Sequence, residues 1–153
     1  MGSTDVHKPR VIIVDDDPVY LRVWEKIFRG TTECHYCLTN DPLIVHHLIT
    51  TNTVDLVISD IVMHDRSGFD IAKSVRAAQP TTQIVLTTAY ECNLKNFELT
   101  DPCFHVLYKP YRNIADIQRF IEALLKREDV FENSAEDSFS ENETFPRVTE
   151  WYL

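Results

Sequence analysis

The sequence predicts an α/β domain, a doubly wound parallel sheet of five strands in the order 2-1-3-4-5 with helices on both faces. Three observations predict it. Strand-like and helix-like segments alternate along the chain, which is the pattern of a parallel sheet with crossover helices. The strand segments are unbroken apolar runs rich in β-branched residues, as strands buried on both faces are. Two of the helical segments open on the same Asp-Pro pair, in which the Asp caps and the proline sits in the first turn. With right-handed crossovers, a chain of 153 residues holds this order as one domain.

The elements follow in order. Arg10-Val-Ile-Ile-Val-Asp15 is the first strand, and Asp17-Pro18 starts a helix through about Arg29, ended by Gly30. Residues 33–38 read as the second strand, and Asp41-Pro42 opens a helix to about Thr50. Asp55-Leu-Val-Ile-Ser-Asp60 is the third strand. After a loop at 61–67, Phe69, Ile71, Ala72 and Val75 recur at helical spacing. Gln83–Thr87 is the fourth strand, residues 91–99 are read as a short fourth helix, and Phe104–Tyr108 is the fifth strand. Asn113 caps a last helix whose apolar stripe is Ile114, Ile117, Phe120, Ile121, Leu124 and Leu125. Residues 1–127 form the domain by this reading. Residues 128–153 form an acidic tail that turns apolar again at Phe145–Leu153.

Charge sharpens that division. The net charge is -9. Residues 1–127 hold 14 Lys/Arg against 16 Asp/Glu, a balance of -2, whereas residues 128–153 hold one Arg against eight acids, a balance of -7. The folded part lacks the clustered positive face of a nucleic-acid footprint, so no nucleic-acid partner is expected. No run approaches the ~20 apolar residues of a membrane span, and the N-terminus lacks the apolar core of a secretory signal. A cytoplasmic location without membrane insertion is the expectation. Cys34 and Cys37 have the spacing of a zinc or redox pair, but residues three apart on a strand face opposite ways. They read as structural thiols. His46 and His47 read as solvent-facing, and His35 and His105 as strand residues with satisfied hydrogen bonds.

In an open parallel sheet, ligands bind outside the carboxyl ends of the strands. Asp15, Asp16 and Asp17 end the first strand, Asp60 the third, Thr87 and Thr88 the fourth, and Lys109 the fifth. Carboxylates brought together repel unless a cation binds between them, and an all-oxygen set with open positions suits Mg2+. A metal and an ammonium to neutralise oxygens, with a hydroxyl to donate to one, is what phosphoryl transfer requires. One carboxylate can then be the nucleophile. Asp60 fits that role, since it comes from a central strand with the acidic pair on the neighbouring one.

Val14-Asp15-Asp16, Asp55-Leu-Val-Ile-Ser-Asp60-Ile-Val-Met63, Gly68, Thr88-Ala89 and Lys109-Pro110 resemble, in order and spacing, the pattern of the response-regulator receiver domain, a flavodoxin-like fold. The resemblance covers about residues 8–127. It implies Asp60 as the phosphoacceptor, with Mg2+ held by Asp15, Asp16, Asp60 and the backbone carbonyl of Val62. It implies that Thr88 bonds the phosphoryl group, that Lys109 pairs with it, and that the Lys109–Pro110 bond is cis. Such a domain takes its phosphoryl group from a histidine kinase or a histidine phosphotransfer protein and is not a conventional turnover enzyme. Its output surface lies on the fourth helix, fifth strand and fifth helix. Val62 and Tyr90 occupy positions that tune phosphoryl lifetime in relatives, and both are bulky enough to hinder water. Three features depart from the pattern. His64 stands where proline is common, Val106 stands where an aromatic switch residue is usual, and the segment between Thr88 and Lys109 is about one residue short.

A different class of function is also compatible with part of this set. Asp15-Asp16-Asp17 resembles the Asp-x-Asp start of a haloacid-dehalogenase-like phosphatase, which would use Asp15 and Asp17. That reading leaves Asp60 without a task and lacks an acidic pair after Lys109. Flavodoxin-like nucleotide binding is opposed by the three acids, which would repel the FMN phosphate. Residues 128–153 are too few for a DNA-binding or catalytic output domain. Output is therefore expected by protein contact, or through a domain fused in a longer chain. The apolar end of the tail is a candidate docking segment for this domain, a partner or a second copy, so a homodimer is one expected assembly.

Overall fold

The computed structural model describes residues 7–29, 34–89 and 103–126. Five strands, β1 (Arg10–Val14), β2 (His35–Thr39), β3 (Leu56–Asp60), β4 (Gln83–Thr88) and β5 (Phe104–Tyr108), form one sheet of order β2-β1-β3-β4-β5. Every pairing in it is parallel. The described helices are α1 (Pro18–Arg29), α2 (Pro42–Thr51), α3 (Gly68–Ala78) and α4 (Ile114–Lys126). The helix expected at 91–99, Gly30 and the tail lie outside the described residues. Element ends shift by a residue or two from the sequence reading, most at β2, which begins at His35 and runs on to Thr39.

Both faces of the sheet are covered, because alternate strand residues feed two separate cores. Ile12, Val14, Val57, Ile84 and Leu86 pack with Val45, Leu48 and Ile49 of α2 and with Ile71, Ala72 and Val75 of α3. Val11, Ile13, Leu56, Ile58 and Val85 pack on the other side with Leu21, Trp24, Ile27 and Phe28 of α1 and Ile117 and Ile121 of α4. Each large side chain fully buried in this way contributes roughly 1.5–3 kcal/mol. Cys37 belongs to the first core and Cys34 packs against the second, so the pair does point to opposite faces. Burial pushes the Cys37 thiol up to about 12, which makes it an inert core residue. Of the last helix's apolar stripe, Ile114 alone is exposed, at 39%.

The helix starts expected from sequence are built as capping chemistry requires. Asp17 Oδ1 accepts from Val19 N at 2.9 Å, and Asp41 Oδ1 accepts from Leu43 N at 2.9 Å. Asn113 Oδ1 accepts from Asp116 N at 3.3 Å. Ser67, which the sequence reading left in the loop, caps α3 by accepting from Asp70 N. His46 and His47 are exposed, and His105 shares a hydrogen bond of 3.1 Å with Gln83.

Candidate functional site

The register of the sheet assembles the site. Val14 pairs with Ser59, so the next residues, Asp15 and Asp60, stand side by side at the carboxyl edge. Thr88 pairs with Tyr108, which puts Lys109 one step beyond, its N–H donating to the Thr88 carbonyl at 2.8 Å. The Lys109–Pro110 peptide bond is cis. Each Asp15, Asp16 and Asp60 carboxylate offers an oxygen, and the three lie within 4.8 Å of one another. Lys109 Nζ donates to Asp15 Oδ2 at 2.8 Å and lies 3.4 Å from Asp60 Oδ2. Its side chain is only 5% exposed.

The loop after β3 is pinned from both sides. Ile61 N donates to the Thr87 carbonyl and Gly68 N to the Ile61 carbonyl, both at 2.9 Å. Gly68 sits so close that a Cβ there would lie 2.5 Å from the Asp60 carbonyl oxygen. That explains the residue type at this position of the motif. Thr88 is buried at the end of β4. Val62 is exposed. His64 Nε2 stands 3.7 Å from Asp16 Oδ2 with its side chain almost wholly in solvent. Tyr90 lies outside the described residues.

Electrostatics mark the pocket as a place where bare carboxylates are held at a cost. Burial raises the Asp15 carboxyl, against the lowering effect of the Lys109 and Asp17 hydrogen bonds. Asp60 is raised by burial and by the neighbouring charge of Asp15, with Lys109 again opposing. For Lys109, burial acts to lower the pKa, but the hydrogen bond and charge of Asp15 and the charge of Asp60 outweigh it, and the net shift is upward. Two raised carboxyls and a lysine form a site that an added cation relieves. The donors are hard oxygens, and the set fits Mg2+ better than any sulfur- or nitrogen-preferring metal.

The sequence reading thus named residues that the fold brings together: Asp15, Asp16 and Asp60 converge and Lys109 reaches Asp15 and Asp60, with Thr88 on the strand beside them. It missed Tyr20, whose ring centroid is 3.9 Å from Lys109 Nζ. The available signal was an aromatic four residues after the acidic pair, in the first turn of a helix that leaves the site. It also missed Tyr111, whose buried phenol is raised by desolvation and lies near Thr87 and Trp24.

The family model for the response regulator receiver domain matches residues 11–129. The chain belongs to that family, the receiver domains of two-component signalling. It is 31% identical over 123 residues to the probable transcriptional regulatory protein SilR of Salmonella typhimurium, covering 77% of this chain and 51% of that one. It is 32% identical over 120 residues to the two-component response regulator ORR22 of Oryza sativa subsp. indica, covering 77% of this chain and 17% of that one. The chain therefore spans about half, or much less, of the curated relatives it matches. Among solved structures, the response regulator protein TrrA from Thermotoga maritima in complex with Mg(2+)-BeF is 22% identical, with a TM-score of 0.62. The match covers 76% of this chain and 99% of that one and speaks to the fold. The phosphatase alternative gains no support. Asp17, which it needs as a second catalytic acid, is engaged in capping α1. No described helix is long and apolar enough to cross a membrane.

Proposed function

We propose that Asp60 is the phosphoacceptor of this receiver, working with Mg2+ in the pocket of Asp15 and Asp16. The observation that carries the reading is the position of Lys109 Nζ, at 2.8 Å from Asp15 and 3.4 Å from Asp60, beside three carboxylates that converge. Asp15, Asp16, Asp60 and the Val62 carbonyl would hold the metal, which when bound supplies positive charge to the oxygens of the transferring group. An Asp60 carboxylate oxygen attacks phosphorus, and the bond from phosphorus to the donor's leaving atom breaks. Lys109 takes its hydrogen bond to a phosphoryl oxygen as charge builds there, and the Thr88 hydroxyl donates to another. The donor in this reading is a phosphohistidine, on a histidine kinase or a phosphotransfer protein.

Phosphorylation adds about -1.5 to -2 charges and three acceptor oxygens at Asp60. The output surface then involves β5 and the last helix, α4, where Tyr108 and Ile114 are exposed at 55% and 39% and a groove is lined by Tyr108, Tyr111, Arg112 and Asn113. A downstream protein is the partner proposed for it. The test of the reading is intact mass after incubation with Mg2+ and acetyl phosphate. A magnesium-dependent gain of one phosphoryl group, absent in Asp60→Asn, is expected. No gain by the native chain under any condition sinks the reading.

A further inference from the structure

We propose that Tyr20 is a positioning residue for phosphoryl transfer, its ring face holding the Lys109 ammonium between Asp15 and Asp60. The inference rests on the phosphoacceptor reading of Asp60. An ammonium has three N–H donors. Around Lys109 Nζ, Asp15 Oδ2 lies at 2.8 Å, Asp60 Oδ2 at 3.4 Å and the Tyr20 ring centroid at 3.9 Å. With the side chain 5% exposed, little room is left for water to serve as an alternative partner. A cation over an aromatic face is attracted to the ring's quadrupole, and more strongly where solvent is excluded.

The ring is itself fixed. Tyr20 meets Tyr111 edge-on, with centroids 5.4 Å apart and planes at 78°. Tyr111 in turn meets Trp24, one turn further along α1, at 5.2 Å. Tyr111 follows Lys109 by two residues, so one short stretch of chain supplies both the ammonium and the support for the ring beneath it. The choice of an aromatic has a chemical consequence. A carboxylate or carbonyl in the same place would offer a lone pair and compete with the phosphoryl oxygen for the lysine proton. A π-face attracts the cation without fixing the direction of an N–H bond. Nζ can then pivot from a carboxylate oxygen to a phosphoryl oxygen on its flexible stem without swinging out to solvent. Lys109 bridges the ring and Asp60, so Tyr20 acts through it.

The experiment measures the rate of labelling by acetyl phosphate on the full chain with saturating Mg2+, by intact mass, for variants at position 20. Tyr20→Phe keeps the ring and is expected to retain most of the rate, whereas Tyr20→Leu is expected to label about tenfold more slowly, as loss of a desolvated cation–π contact implies. Phenylalanines carrying one, two and three ring fluorines, introduced at position 20 alone, weaken the π-face stepwise with little change of shape. The rate is expected to fall in that order while Mg2+ affinity stays at the Tyr20→Phe value. A flat series, or Tyr20→Leu labelling as fast as Tyr20→Phe, overturns the proposal. Should Tyr20→Leu fail to fold, the fluorinated series carries the test unaided. A native chain that is labelled together with a flat series removes only the role of Tyr20. A native chain that is never labelled removes the phosphoacceptor reading and this one with it.

Discussion

A Cβ on Gly68 would stand 2.5 Å from the Asp60 carbonyl oxygen and 2.9 Å from the Ile61 Cα. Both are backbone atoms, so no flexible side chain can give way, and the conflict falls on the peptide that carries Asp60. Gly68→Ala is therefore expected to cost about 1–3 kcal/mol, the range for an overpacked site. Urea melts check the stability, and the acetyl phosphate assay should show slower labelling, because the strain falls on the peptide that positions Asp60. A variant as stable and as reactive as the native chain would contradict the close approach. Such residues differ in how legible they are. Asp15, Asp60 and Lys109 could be read from the sequence because strand ends of a parallel sheet converge by topology, whatever the side chains do. Tyr20 could not, because its contact with Lys109 depends on how α1 is rotated over the sheet, and that rotation is set by Trp24, Phe28 and Leu21 finding the core.

Between elements, the least visible contact in the sequence is made by Gln79, the residue that ends α3. Its Nε2 donates to the Ile49 carbonyl at 2.8 Å and the Asn52 carbonyl at 2.6 Å, and its Oε1 accepts from Val54 N at 2.8 Å. One amide thus ties the end of α3 to the end of α2 and the approach to β3. Gln79→Ala leaves three backbone groups without this partner, each costing about 1–3 kcal/mol where water cannot reach it. A fall in the urea midpoint is expected, with labelling of Asp60 intact because Gln79 lies at the opposite end of the sheet. Asp41→Ala, which removes the α2 cap, should cost only about 1 kcal/mol. Equal effects from the two would mean that the Gln79 bonds add nothing beyond a cap. The Asp-Pro starts of α1 and α2 were legible because capping is local, a matter of residues within one turn. The Gln79 clamp reaches 25 to 30 residues along the chain, and nothing in a local pattern specifies it. β2 starts later than the expected range of 33–38 for a related reason: its pairing begins where His35 meets Arg10, a match to a distant strand that the local residues do not specify.

For the molecule as a whole, the pocket sets an opposition between stability and readiness to bind a cation. Asp15 and Asp60 are both raised above the ordinary carboxylate value of 3.8 by burial, Asp60 also by the Asp15 charge. Between 3.8 and those raised values the folded chain holds protons that the unfolded chain has released. Stability attributable to these groups therefore falls as pH rises through that window and stays lowered above it. Lys109 works the other way. Its raised pKa contributes stability that is fully present below 10.5 and is lost only as pH rises through its folded value. In EDTA, Asp60→Asn is thus expected to be more stable than the native chain at pH 7, with the gap closing as pH falls below the raised Asp60 value. Mg2+ should reverse the order, because it binds the ionised pocket of the folded native chain, contributing about 2.7 kcal/mol at one hundred times its Kd. Urea unfolding of both proteins across pH, in EDTA and in Mg2+, reads the difference directly, since the remaining carboxylates are common to the pair. If the native chain is the more stable in EDTA at neutral pH, Lys109 already compensates the pocket and little remains for a cation to relieve. If Asp60→Asn gains as much from Mg2+ as the native chain does, the metal is held without Asp60, and the pocket cannot couple cation binding to the phosphoacceptor.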